Sequence, residues 1–141
     1  MSISTGPSLT AIEAETFIRA DPARIAAALA DPAWQAQWAG GLRLLPYDDR
    51  GVEGVRAVVT GLLTGSCEWW IEARPGGGAV IHFWLRTRPP RRDWLRNGPL
   101  AGRRDLLHRR NAGRRWRTAM FGLKDELEGS TAFPARTRGS S

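Results

Sequence analysis

The sequence predicts an α+β fold: a curved antiparallel sheet wrapped around one long C-terminal helix, with two short helices after the first strand. Three observations predict it. Counting back from Leu127, apolar residues fall at Leu123, Met120, Ala119, Trp116 and Ala112, which draws one stripe on an α-helix and leaves Arg110, Arg114, Arg117 and Lys124 off it. Upstream, four strand-like runs follow one another across breaks of turn-forming residues, and connections so short join antiparallel neighbours. Asp21-Pro22 and Asp31-Pro32 each supply a helix N-cap followed by proline at the first helical position. A single amphipathic helix needs a surface to lie on, and the sheet is the large surface this chain offers.

Taken in order, Met1 to Thr10 is rich in Ser, Thr, Gly and Pro and reads as a flexible tail. Ala11 to Arg19 alternates Ile12, Ala14, Thr16 and Ile18 against Glu13, Glu15 and Arg19, a half-buried strand with Phe17 on its polar side. Ile25 and Leu29 are the inward pair of the first short helix. Trp34 and Trp38, at i and i+4, share a face of the second, which Gly40-Gly41 ends. Strands are then predicted at Leu42 to Tyr47, Val55 to Leu63, Ser66 to Arg74 and Ala79 to Thr87. Their breaks are Asp48 to Gly51, Thr64-Gly65 and Pro75 to Gly78. Cys67, Trp69, Ile71 and Ala73, with Ala79, Ile81, Phe83 and Leu85, form the faces turned toward the helix. Trp70, His82 and Trp84 then lie on the outer face, where large aromatics need a reason. Arg88 to Gly102 reads as a loop or a short strand near Asp93 to Arg96. The final helix begins between Pro99 and Ala112 and stops at Gly129. One domain is thus expected over residues 11–129, with residues 130–141 a second flexible tail.

Composition limits the function classes. Of 21 basic residues 20 are arginine, and the net charge of +7 is uneven. Residues 1–85 hold six Arg against nine acids, whereas Arg86 to Arg117 holds twelve Arg against Asp93 and Asp105, so one segment carries the whole excess. The single cysteine, Cys67, excludes an internal disulfide framework and fits a reducing compartment. The first residues lack the basic start and apolar run of a secretion signal, and no apolar run approaches the roughly 20 residues that span a bilayer. A soluble, cytoplasmic protein is expected.

The segments Ile18 to Asp31 (IRADPARIAAALAD), Trp38, Glu72 to Gly76 (EARPG) and Trp116 to Gly129 (WRTAMFGLKDELEG), in this order, resemble the START-like, or SRPBCC, superfamily. Within it they resemble the polyketide cyclase/dehydrase and lipid-transport group of actinobacterial type. The resemblance spans Ala11 to Gly129 and implies the helix-grip fold. It carries no catalytic signature. Where such proteins often place Val and a large aromatic in the first helix, this chain has Ile25-Ala26, which reshapes one cavity wall.

The resemblance favours an apolar cavity for a small hydrophobic molecule (lipid, polyketide or isoprenoid-like), lined by Trp69, Ile71, Ile81, Phe83, Leu85, Trp116, Met120 and Leu123. A filled core would use the same residues, since burial of each stabilises by about 1.5–3 kcal/mol with or without a guest. Tyr47 and Arg109 are the candidate polar anchors, and Arg109 falls on the stripe that faces the sheet, as does Asp105. Catalysis finds little support. His82 points outward beside Trp70 and Trp84, His108 lies among arginines, and Glu68 and Glu72 also fall on the outer face, so no inward pair of carboxylates is visible and no catalytic residue is assigned. No metal or cofactor is expected, because Cys/His ligand spacings are absent. Cys67 reads as a packing residue. A binding or carrier protein is therefore expected, with a polyketide cyclase/dehydrase-type enzyme in the same cavity as the alternative. A second alternative is an Arg-rich module on an anionic membrane; nucleic acid is disfavoured because no base-reading motif accompanies the arginines. A homodimer through Trp70 and Trp84 would explain the outer aromatics.

Overall fold

The described residues open on an edge strand, turn through two short helices and return as a meander that closes on that first strand. The computed structural model describes residues 10–132. The flexible ends expected over residues 1–10 and 130–141 fall almost wholly outside them. The elements are β1 (Thr10–Ile18), α1 (Pro22–Leu29), α2 (Pro32–Trp38), β2 (Leu42–Asp49), β3 (Gly54–Gly61), β4 (Thr64–Ala73), β5 (Ala79–Arg88), α3 (Arg91–Asn97) and α4 (Pro99–Ala132). One antiparallel sheet has the order β1-β5-β4-β3-β2. The fold is thus the expected α+β helix-grip architecture.

Local chemistry accounts for the entry to the helices. Asp21 Oδ1 accepts the Ala23 N–H at 3.3 Å and Asp31 Oδ1 accepts the Ala33 N–H at 3.0 Å, each followed by proline at the first helical position. The buried residues of the two helices are Ile25 and Leu29, and Trp34 and Trp38, at the expected spacing.

Three expectations are corrected. Arg91–Asn97 is a helix rather than a strand or loop: Pro90 opens it and Asn97 Nδ2 donates to Asp93 Oδ1 at 2.6 Å one turn away. Gly98 at φ 51° then breaks α3 from α4, and Pro99 starts the next helix. The turn between β3 and β4 lies at Leu62–Leu63, while Thr64-Gly65 belongs to β4. Finally, α4 does not stop at Gly129 but continues to Ala132. Its last turns are tied to the sheet by tertiary contacts. Glu128 Oε2 accepts the Arg19 N–H at 2.9 Å, and Lys124 Nζ donates to the Phe17 carbonyl at 2.6 Å and to Glu128 at 2.7 Å. A glycine inside a helix costs about 1 kcal/mol, less than such contacts supply together.

The helix does not cover the sheet evenly. It packs on β1, β5 and α2. At Gly113 the approach is so close that an added Cβ would sit 2.9 Å from Ile12 Cδ1. On the remaining part of the concave side, α1 packs on β4 and on the Gly51–Glu53 turn between β2 and β3, while α2 packs on α4. Leu42 and Leu44 of β2 remain only partly buried while packing on the core.

Candidate functional site

The concave face collects the residues the sequence assigned to a lining. Trp69, Ile71, Ile81, Phe83, Leu85, Trp116, Met120 and Leu123 are all buried. They are brought together by strand alternation on β4 and β5 and by the α4 stripe. Their centre is aromatic. Phe83 stacks on Trp116 with centroids 3.7 Å apart and planes at 11°. Trp38 meets both rings edge-on at 5.1 Å, and Trp34 meets Trp116 at 5.4 Å. Trp34 Nε1 donates to the Ala119 carbonyl at 3.2 Å, pinning α2 to α4. Side chains therefore occupy the space between β5 and α4.

Trp38 is the exception in this cluster. It is fully buried, yet its Nε1 finds no hydrogen-bond partner among the described residues. A buried unpaired donor costs about 1–3 kcal/mol. On the other side of α2 from the Trp38 ring, between α2 and the start of β2, opens a depression of about 330 Å³. Its lining includes Gln35, Ala36 and Ala39 of α2, the Gly40-Gly41 link, and Leu42 and Leu44 of β2. It reaches the edge strand β2 and none of β3, whose inward residues Val55, Ala57 and Val59 are buried. A sequence search for a lining beneath α4 does not find this depression, although Gly40-Gly41 at the end of α2 is a local signal for it.

A polar cluster closes the other side. Thr87 Oγ1 donates to Asp105 Oδ1 at 3.0 Å, and Arg109 Nη1 donates to Asp105 Oδ2 at 3.1 Å, all three residues being buried. Burial raises the Asp105 carboxyl above its ordinary range, opposed by the Thr87 hydrogen bond and by the charges of Arg109 and His108. Arg109 thus faces a carboxylate. Tyr47 is 61% exposed on β2, which β3 and β4 separate from β5, so the two candidate anchors are not brought together. Cys67 is buried, and burial pushes its thiol up to about 12.

On the outer face the aromatics have partners. Trp70 stacks on His82 at 4.8 Å, and Arg86 lies over the Trp84 ring at 4.6 Å. His82 stands between two carboxylates, with Nε2 2.9 Å from Glu72 Oε1 and Nδ1 3.2 Å from Glu15 Oε2. The His82 hydrogen bond holds the Glu72 carboxyl below its ordinary range, opposed by desolvation and assisted by the charges of Arg74 and His82. Among the described residues no group of His, Cys, Asp and Glu is arranged to hold a metal ion. No described helix is long and apolar enough to cross a membrane.

No protein-family model matches the sequence, and no curated protein matches it. Solved structures do. The di-domain ARO/CYC StfQ from the steffimycin biosynthetic pathway matches at TM-score 0.62 and 12% identity, over 89% of this chain and 52% of that one. A structural-genomics protein from Deinococcus radiodurans matches at 0.58 and 13%, over 85% and 98%. The Aha1 dimer from Colwellia psychrerythraea matches at 0.55 and 14%, over 84% and 96%. At such identities the likeness is one of fold, and that fold is the one derived above.

Proposed function

We propose that this chain, START-like by its helix-grip fold, is a non-catalytic binding or carrier protein for a small hydrophobic molecule. The guest enters between α2 and β2 and reaches the aromatic cluster of Trp34, Trp38, Phe83 and Trp116. The observation that carries this reading is the Trp38 indole N–H, fully buried in the aromatic cluster and without a hydrogen-bond partner among the described residues. A guest with one oxygen acceptor on an apolar body would satisfy that donor and gain burial on the surrounding rings. Because the rings fill the space without a guest, binding requires Trp38 or Trp116 to change rotamer. A polyketide- or isoprenoid-like carbonyl compound has the right chemistry.

The cyclase/dehydrase alternative is weaker. The buried carboxyl that could serve as acid or base, Asp105, is engaged with Arg109 and Thr87 and does not line the depression.

Native mass spectrometry of the purified chain, followed by titration with the released molecule or with an environment-sensitive naphthalene dye, tests the proposal. Saturable binding that quenches tryptophan emission is expected. Trp38→Phe should weaken an oxygen-bearing guest about fivefold, the worth of one hydrogen bond, and leave dye binding little changed. Absence of any saturable binding by the folded wild type would refute it.

A further inference from the structure

The basic segment supports a second function on the opposite side of α4. Two acids accompany its twelve arginines, and both are consumed internally. Asp93 is taken by Asn97 and by Arg104 at 3.0 Å, and Asp105 by Thr87 and Arg109. Arg103, Arg110, Arg114 and Arg117 have no acidic partner among the described residues.

These four arginines fall on one line of α4. Leu100, Arg103, Leu107, Arg110, Arg114, Arg117 and Phe121 follow at steps of three and four, which is a single helical stripe. At 100° per residue its centre lies roughly half a turn from the buried stripe of Asp105, Ala112, Trp116 and Leu123. The apolar members are bare: Leu100 is 58% exposed, Leu107 57% and Phe121 63%. The stripe runs about 32 Å at 1.5 Å per residue. Next to it α3, joined to α4 by the Asp93–Arg104 pair, offers a depression of about 490 Å³ lined by Arg91, Arg92, Leu95 and Arg96.

Cations without acids call for an anionic partner. Bare leucines and a phenylalanine between them call for an apolar one, and a nucleic acid duplex gives such side chains little to bury in. A bilayer with anionic head groups answers both demands: arginines reach the phosphate level while Leu100, Leu107 and Phe121 enter the acyl boundary. We propose that the outer stripe of α4, with α3, docks this protein on an anionic membrane surface.

Flotation of the full chain with vesicles tests this, comparing pure phosphatidylcholine with phosphatidylcholine containing phosphatidylserine as one lipid in three. Binding to the anionic vesicles alone is expected, falling steeply as salt shortens the Debye length. The double variant Arg110→Glu and Arg114→Glu should bind at least about 25-fold more weakly, from about fivefold per arginine. Leu107→Ser with Phe121→Ser should still bind at low salt but release at a lower salt concentration than wild type. Both variants change exposed residues, and unchanged thermal unfolding will show that they are folded. No binding of wild type to anionic vesicles at low salt overturns the proposal. So does equal binding to neutral vesicles, or tight duplex DNA binding indifferent to the Leu107 and Phe121 changes without vesicle binding.

Discussion

Replacing Arg109 with methionine tests whether the buried polar cluster is a structural clamp. Methionine keeps most of the length and apolar bulk of the side chain but removes the guanidinium. In the wild type the pair is 3.1 Å apart, with only 10% of the Arg109 side chain and 6% of the Asp105 side chain exposed. Removing one partner of a buried pair costs about 3–5 kcal/mol, because the other charge is left in a poor solvent. Here the Thr87 hydroxyl still donates to Asp105, and protonation of the carboxyl offers an escape, so about 3 kcal/mol is expected. For a chain of this size that corresponds to a fall in Tm of about 10 °C. The pH dependence has a definite sign. The folded Asp105 carboxyl already titrates above its unfolded range, so this group costs stability as pH rises through that window and the cost remains at neutral pH. Without Arg109 the folded value climbs further. The variant should therefore lose more stability at pH 7 than at pH 4.5, and Asp105→Asn in the same background should flatten the difference. Urea unfolding followed by tryptophan fluorescence, with an unchanged m value, reads both quantities. A loss below about 0.5 kcal/mol at pH 7, the range of ordinary surface changes, would refute the clamp.

Three other outcomes follow from the geometry. Glu72→Gln should flatten the acid limb of stability. Its carboxyl is held low in the folded state, so its contribution is present above the unfolded carboxylate range and lost as pH falls through the folded value; unfolding midpoints across pH 3–6 check this. Cys67, with its thiol pushed up to about 12, should resist alkylation at pH 8 until the protein unfolds, and mass spectrometry of iodoacetamide-treated protein reads that. Gly65→Ala should destabilise strongly, because φ there is +153° and an added Cβ would collide with the Arg86 carbonyl across the β4–β5 ladder; thermal unfolding measures it.

What was legible in the sequence was periodic, and what was not depended on contacts distant in the chain. The α4 stripe, the alternation on β4 and β5 and the two Asp-Pro starts each repeat a local rule, so their buried faces could be read directly. The segment Arg91–Asn97 offers no such period: two prolines precede it and only Trp94 and Leu95 are apolar, so its helix rests on Asp93–Asn97 and on packing against α4. Gly129 carried an honest local stop signal that Arg19 and Phe17, more than a hundred residues away, override. The site was half legible. Every lining residue could be assigned to the concave face, but the depression between α2 and β2 is a gap between elements, and no pattern within one element encodes a gap.

The uneven cover of the sheet links the two proposals. With α4 lying on β1 and β5, the helix spends one stripe on Trp116, Met120 and Leu123 and leaves a second bare half a turn away. The inner stripe takes one arginine, Arg109, and neutralises it with Asp105; Arg103, Arg110, Arg114 and Arg117, without acidic partners among the described residues, lie on the outer face, where Leu107 and Phe121 accompany them. A guest bound beside Trp38 would press on Trp116, which belongs to the inner stripe of that same helix. Occupancy of the depression and attachment of the outer stripe to a membrane can therefore be coupled through one rigid body, and linkage requires the effect to be reciprocal. Guest titrations with and without anionic vesicles would show it as a change in guest affinity; identical titration curves at saturating vesicle would show the two faces of α4 to be independent.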